Sequence, residues 1–250
     1  MTLDRLWKTL RRFAYETAVR WGWEIRRWPH PATHAGALKD ILRSRGINCV
    51  IDVGANRGQF ALLVRKLGYQ GRIVSIEPGS EAFRTLEALA ASDKEWLVLR
   101  MALGSKPGKA KLHITSSDNL SSLLPQTTYA HIYFPDASQV VQTEEVSMST
   151  LALLFDELVR GIPEPRVLLK VDTQGYDFYV LKGAEPVLPR ISALHIEVAF
   201  VPLYSGVPSW HEIISWCEGQ GFGLYGLFPV LRDPNGHLVE ADAILVRIQE

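Results

Sequence analysis

The run Val-Ile-Asp-Val-Gly-Ala-Asn-Arg-Gly-Gln-Phe over residues 50–60 constrains this chain more than any other feature. A short apolar stretch ends in a carboxylate and a glycine, and a helical pattern opens a few residues later. A strand, a tight turn and a helix in that order form the context in which a loop holds a nucleotide-type ligand. Gly54 lets the chain turn at the strand end and lets a ligand approach the backbone. Gly58 lets the following helix pack closely. A second apolar run, 72–77, ends in Glu77, 19 residues after Gly58. A carboxylate at that place can accept hydrogen bonds from both hydroxyls of a ribose.

The pattern around this loop predicts an α/β fold. Apolar runs at 49–53, 72–77, 96–103, 166–172 and 194–200 alternate with helical stretches at 59–67, 80–91, 177–188 and 209–220, Ser209 serving as an N-cap. Such alternation implies a parallel sheet covered on both faces. Runs at 224–231 and 243–248, with an Asp-Pro-Asn-Gly turn between them, predict a closing antiparallel pair. Residues 105–150 break the rhythm. Two strands, 109–115 and 144–148, flank a polar segment, and we read the whole as an insertion that covers the site. The expected organisation is an N-terminal amphipathic helical segment, 1–45, and one domain over 46–250. That length suffices for a single full core.

The loop also discriminates between ligands. A dinucleotide fingerprint reads G-x-G-x-x-G, and its middle glycine gives a pyrophosphate access to the backbone. The matching positions here are Gly54, Asn56 and Gln59. Asn56 obstructs that approach, and Asp52 puts a carboxylate near the anion. S-adenosylmethionine, with a cationic ammonium and no phosphate, removes both objections. Its expected contacts are Asp52, Gly54, Ala55, Asn56, Gly58, Gln59, Phe60, Glu77 and Pro78. A nicotinamide-dependent oxidoreductase and a non-catalytic binding module are the alternatives. Formal net charge is zero, which speaks against nucleic acid as a partner.

Several separated strings resemble the FkbM family of methyltransferases: VIDVGANRGQF at 50–60, SIEP at 75–78, ALG at 102–104, NLSSLL at 119–124, LLKVDTQGYDFYVLKGAE at 168–185, PLYSG at 202–206 and DAILVR at 242–247. The resemblance covers about residues 47–248. It implies a Rossmann-like class I fold, a mostly parallel seven-stranded sheet with an antiparallel closing strand and a β-containing insertion. It places Met101 and Ala102 beside adenine. It implies methylation, commonly of a hydroxyl on a sugar, glycolipid, polysaccharide or polyketide precursor, so the expected partner is a small-molecule or glycan acceptor. Many members have Glu where this chain has Gln174.

Strand alternation puts Leu168, Lys170 and Asp172 on one face, and His195 and Glu197 likewise. Ionisable groups in central strands are costly unless paired or functional. Lys170 is either a buried ion pair with Asp172 or Glu197 or part of the chemistry; His195 is a hydrogen-bonded core histidine or a catalytic one. Asp172 orients the methionine portion of the cofactor and faces the acceptor. Asp172 and Glu197, with His195, are expected to supply a base or to hold a Mg²⁺-type ion. Asn119, Ser121 and Ser122 are candidates to hydrogen-bond a polyhydroxylated acceptor. Tyr129, Tyr133 and Phe134 either stack on a sugar or pack the insertion.

Leu3, Leu6, Trp7, Leu10, Phe13, Ala14, Thr17 and Trp21 recur at helical spacing, and residues 1–28 carry seven Lys or Arg against three acids. Such a helix lies on an anionic membrane, docks on its own domain or pairs two subunits. No run reaches a membrane span and no continuous apolar core marks a signal peptide, so the expected location is cytoplasmic. Cys49 and Cys217 are far apart and read as small buried hydrophobes of a reducing compartment.

Overall fold

Five consecutive buried residues make β1 (Cys49–Val53) a strand that needs cover on both faces. It pairs in parallel with β2 (Arg72–Ile76) on one side and β7 (Val167–Val171) on the other. Beyond β2 lies β3 (Trp96–Leu99); beyond β7 come β8 (Ile191–Ala199), β10 (Leu238–Arg247) and β9 (Phe222–Arg232). β10 runs antiparallel to both of its neighbours. This is the seven-stranded, Rossmann-like class I sheet that the sequence leads one to expect. The computed structural model describes residues 3–22, 28–117 and 120–248, with no account of the side chains of 3–6, 8, 9 and 11.

The pleat sorts β1 into two cores. Ile51 and Val53 face one side with Phe155 of α7 (Leu151–Leu158), Val180 of α8 (Asp177–Ala184) and Ile213 of α9 (Trp210–Gly219). Val50 faces the other with Leu38 and Ile41 of α2 (His34–Ser44), Ala61 and Val64 of α3 (Gln59–Lys66) and Leu86 of α4 (Ser80–Ala90). Each fully buried Leu or Ile contributes roughly 1.5–3 kcal/mol, so the two clusters fix the sheet firmly. Asp52, Lys170 and His195 share the second face by the same alternation. They sit under the N-terminal ends of α2 and α3.

Three elements depart from expectation. The run 96–103 is two strands: β3 ends with β2, and β4 (Ala102–Leu103) pairs instead with β6 (Val140–Ser149), which also pairs with β5 (Gly108–Thr115). The helix over 177–188 stops at Ala184 and continues as a 3-10 turn, Glu185–Arg190, where Pro186 and Pro189 supply no N–H. β10 begins five residues before 243, with register shifts that let it follow β9. The insertion is completed by α5 (Thr128–Tyr133) and α6 (Pro135–Ser138).

The N-terminal helix α1 (Leu3–Arg20) follows the predicted periodicity. Its described apolar side chains are open to solvent: Trp7 is 62% exposed and Phe13 68%, with Trp21 beyond its end at 78%. Part of the aromatic-basic stretch, residues 23–27, lies outside the described residues. No helix among the described residues is long and apolar enough to cross a membrane.

Candidate active site

The strand order reverses its direction of growth between β1 and β7, and in open α/β sheets ligands bind at the carboxyl ends of the strands there. A cavity of about 690 Å³ opens at this point, within the usual range for small-molecule sites. Gly54, Ala55, Asn56, Gln59 and Phe60 line it from the loop, joined by Glu77, Pro78, Met101 and Ala102. These are nine of the positions expected to touch the cofactor.

Glu77 is held for its task. Its Oε2 accepts the Asn56 N–H and its Oε1 the Gly79 N–H, both at 2.8 Å. Burial pushes this carboxyl up to about 6, against the pull of the two N–H groups. Asn56 reaches the geometry with φ at +47°, a left-handed conformation that asparagine tolerates.

Two expected cofactor contacts are structural instead. Asp52 is fully buried below the cavity: Ser75 Oγ donates to its Oδ2 at 3.4 Å, and Lys170 Nζ lies 3.1 Å from Oδ1 as an ionic contact. Trp96 Nε1 donates to the same Ser75 hydroxyl at 3.0 Å. Gly58 does not line the cavity; a Cβ there would stand 3.1 Å from both Leu86 and Trp96, so its role is helix packing. At Gly54 the need for glycine comes from the protein as much as from a ligand. Its φ is +74°, and a Cβ would fall 1.8 Å from the Asp172 carbonyl oxygen.

Lys170 is an anchor. Its Nζ donates to Gly54 O at 3.1 Å and lies 3.3 Å from Asp172 Oδ2. Burial opposes its charge, but Asp172 and Asp52 more than offset this, and its pKa stands above the ordinary value. The ion pair is therefore with Asp52 and Asp172, and Glu197 has no part in it. Gln174, with φ at +54°, spans the two candidate bases: its Nε2 donates to Asp172 Oδ1 and to Glu197 Oε2, each at 3.1 Å, and its Oε1 accepts from Tyr204 at 3.0 Å. An N–H donor thus occupies the space between Asp172 and Glu197, so these two carboxylates do not form the expected Mg²⁺-type site.

Around Glu197 the charge is unbalanced. Among the described residues, seven carboxyl groups line the cavity against two permanent cations, Arg84 and Lys170. Burial first, and then the charge of Asp172, push Glu240 up to about 8 and Asp242 to about 7; Glu197 stands well above its ordinary range for the same reasons. Such a surface favours a sulfonium and an ammonium and opposes a diphosphate, which disfavours the nicotinamide alternative. His195 meets His34, the first residue of α2, with Nε2 atoms 2.7 Å apart. Burial lowers the pKa of both, that of His195 the further.

The insertion closes one side. Ser121 and Ser122 line the cavity, and each hydroxyl also meets the chain, that of Ser121 as an acceptor and that of Ser122 as a donor. Ser121 Oγ accepts the Thr115 N–H, and Ser122 Oγ donates to Gln174 O at 2.6 Å. Asn119 lies outside the described residues. Tyr129 stacks near Tyr133, ring centroids 4.4 Å apart, and donates to Asp233, so this pair packs the insertion and does not line the cavity.

Sequence reasoning missed His34, Glu240 and Asp242 and gave Gln174 no role. The one signal available was an alternation in 240–244, acid-Ala-acid-Ala-Ile, which places two carboxylates on one face of a strand otherwise apolar.

The sequence model of the methyltransferase FkbM domain matches residues 52–224. Among solved structures, a methyltransferase FkbM from Methylobacillus flagellatus KT is 13% identical, over 78% of this chain and 43% of that one, with a TM-score of 0.49. This chain therefore spans under half of that protein. An rRNA methylase from Streptococcus thermophilus is 12% identical over 90% of this chain and all of that one, at a TM-score of 0.47. Fibrillarin from Aeropyrum pernix, in complex with natively bound S-adenosyl-L-methionine, is 13% identical over 85% of this chain and 73% of that one, at 0.43. No curated protein matches the sequence.

Proposed function

The chain belongs to the FkbM methyltransferase family, and on that premise we propose that this S-adenosylmethionine-dependent enzyme methylates a hydroxyl on a sugar, glycolipid, polysaccharide or related natural product. The observation that carries this reading is the pair Asp172 and Glu197, bridged by one amide and lining the same cavity as Glu77. An alcohol is about as weak an acid as water, with a pKa of ~15.7, so transfer to it calls for a positioned base. Bound S-adenosylmethionine supplies an electrophilic methyl group. Glu77 would hold the ribose and Met101 and Ala102 the adenine, while Lys170 fixes Asp172 and the Gly54 carbonyl. Asp172 and Glu197 then face the acceptor oxygen and take its proton. After β7 the chain reads Asp172-Thr-Gln-Gly175, without the Pro-Pro-aromatic string common in enzymes that methylate exocyclic amines of bases.

The test is release of S-adenosylhomocysteine against a panel of sugars, nucleotide sugars and glycolipids, with Glu197→Gln and Asp172→Asn beside the parent. The expected result is turnover on a hydroxylated acceptor and a loss of roughly 10²–10⁴-fold in each variant, with cofactor affinity kept within a few-fold. Near-parental turnover in both variants overturns the assignment. The exposed aromatics of α1 and the excess of basic residues over 1–28 add a location to the proposal: a peripheral contact with an anionic membrane, where glycolipid acceptors reside.

A further inference from the structure

Three ligand atoms from three separate elements converge on one point beside the cavity. His34 begins α2, and its place is fixed. Thr33 caps the helix by accepting the Gly36 N–H and donates to His30 O, and a Cβ on Gly36 would fall 1.9 Å from that same carbonyl oxygen. His195 lies in the middle of β8 and Asp242 in β10, two positions from Ile244, the residue directly opposite His195. Asp242 Oδ2 is 3.8 Å from His34 Nε2 and 3.7 Å from His195 Nε2. These are too long for hydrogen bonds. With the 2.7 Å between the two nitrogens they define a triangle whose equidistant point lies about 2.0 Å from every corner. That is the bond length of zinc to imidazole nitrogen and carboxylate oxygen. A tetrahedron with bonds of that length has edges of about 3.3 Å, so opening the two nitrogens by about 0.6 Å and drawing the carboxylate oxygen in by about 0.4 Å turns the triangle into three of its corners.

The surroundings call for a cation there. Asp242 sits directly across the strands from Glu197, and like charges so placed destabilise a sheet. The nearest ammonium, Lys170, is already committed to Asp52, Asp172 and Gly54. His195 is buried and its Nδ1 has no hydrogen-bond partner among the described residues, so the polar compensation they offer for burying this ring comes through Nε2. A single hydrogen bond to His34 is weak compensation; a metal bond is strong.

We propose that His34 Nε2, His195 Nε2 and Asp242 Oδ2 bind one divalent transition metal of the zinc class, with a fourth position open to the cavity. Two imidazoles and one carboxylate select such ions over Mg²⁺ or Ca²⁺, which prefer all-oxygen sets. All three residues line the same cavity as Asp172 and Glu197. The open position therefore takes an oxygen of the acceptor and lowers its pKa, a role that rests on the methyl-transfer reading above.

The test uses the full chain, tag removed, stripped with a chelator and titrated with Zn²⁺ alone by calorimetry. The expected result is one zinc per chain, not displaced by millimolar Mg²⁺, and a weakening of at least roughly 100-fold in His34→Ala and in Asp242→Asn. Co²⁺ in place of Zn²⁺ should give the visible absorption of a four-coordinate site, lost in His34→Ala. Retained S-adenosylmethionine binding by both variants shows that the cavity is intact. No saturable zinc at one per chain, or parental affinity in both variants, overturns the site. Zinc binding without methyl transfer to any hydroxylated acceptor would keep the metal and remove the acceptor reading; methyl transfer that survives chelation, with no zinc bound, would do the reverse.

Discussion

Replacing Lys170 with Met tests whether this residue holds the site together or performs its chemistry. The substitution matches the aliphatic stem as far as Cε and removes the ammonium, and with it the charge between Asp52 and Asp172. Asp172 is partly open to the cavity and can be hydrated, so the cost falls on Asp52, which is fully buried, with only Ser75 Oγ at 3.4 Å remaining as a polar contact. Breaking a buried pair costs about 3–5 kcal/mol. Protonation sets a ceiling. Taking an aspartate from a pKa of about 3.9 to neutrality at pH 7 costs about 4 kcal/mol at ~1.4 kcal/mol per unit, and the folded variant will do that before it keeps a bare carboxylate. A loss of about 4 kcal/mol at pH 7 lowers the Tm by roughly 8–16 °C in a chain of this size. The sign of the pH dependence follows. In the variant the folded state binds a proton at Asp52 that the unfolded state releases, so stability falls as pH rises above the unfolded pKa. Burial raises the Asp52 carboxyl in the parent too, against the pull of Lys170, so the deficit shrinks by up to about 1.4 kcal/mol for each unit below pH 7 and levels off once Asp52 of the parent is protonated as well. Denaturant unfolding at pH 5, 6 and 7, with Lys170→Met/Asp52→Asn as the rescue, reads all of this. A deficit under about 1 kcal/mol, one that does not change with pH, or a double variant as weak as the single would refute the ion-pair reasoning.

Glu77 must be ionised to accept two ribose hydroxyls, and burial has raised it to about 6; cofactor affinity by calorimetry should hold above pH 7 and fall toward tenfold per unit below pH 6, while Glu77→Gln should be weak throughout and lack that inflection. Gln174→Glu removes the N–H donors shared by Asp172 and Glu197 and adds a third acid, so denaturant midpoints should report a loss of about 1–3 kcal/mol at pH 8; parental stability there would show that the bridge holds nothing. Removing residues 1–28 should abolish co-sedimentation with liposomes rich in anionic lipid and leave S-adenosylmethionine binding intact, whereas equal co-sedimentation of both forms would dismiss the membrane contact.

What could be read from the sequence is what depends on neighbours along the chain. The cofactor loop is local: Gly54, Asn56 and Glu77 declare themselves through a strand, a turn and the end of the next strand, and the structure sets all three on the cavity. The alternation of strands and helices declares a parallel sheet in the same way, though not the order of its strands. What could not be read depends on register. Lys170 had two acids to choose from by alternation alone, and the parallel pairing of β1 with β7 sets it directly opposite a third, Asp52. Glu197, its rejected partner, is set opposite Asp242 by the antiparallel pairing of β8 with β10. His34 joins them across 161 residues, through the docking of α2 on a sheet face that only the assembled core defines. Register therefore divides the charge into two rows. The lower row, Asp52 against Lys170, is neutral and closes the core; the upper, Glu197 against Asp242, has among the described residues no side-chain cation of its own and borders the cavity. An enzyme of the kind proposed here, whose donor is a cation and whose acceptor must lose a proton, gains from carboxyl groups in the second row and loses from an unpaired charge in the first, which is the distribution that these two pairings produce.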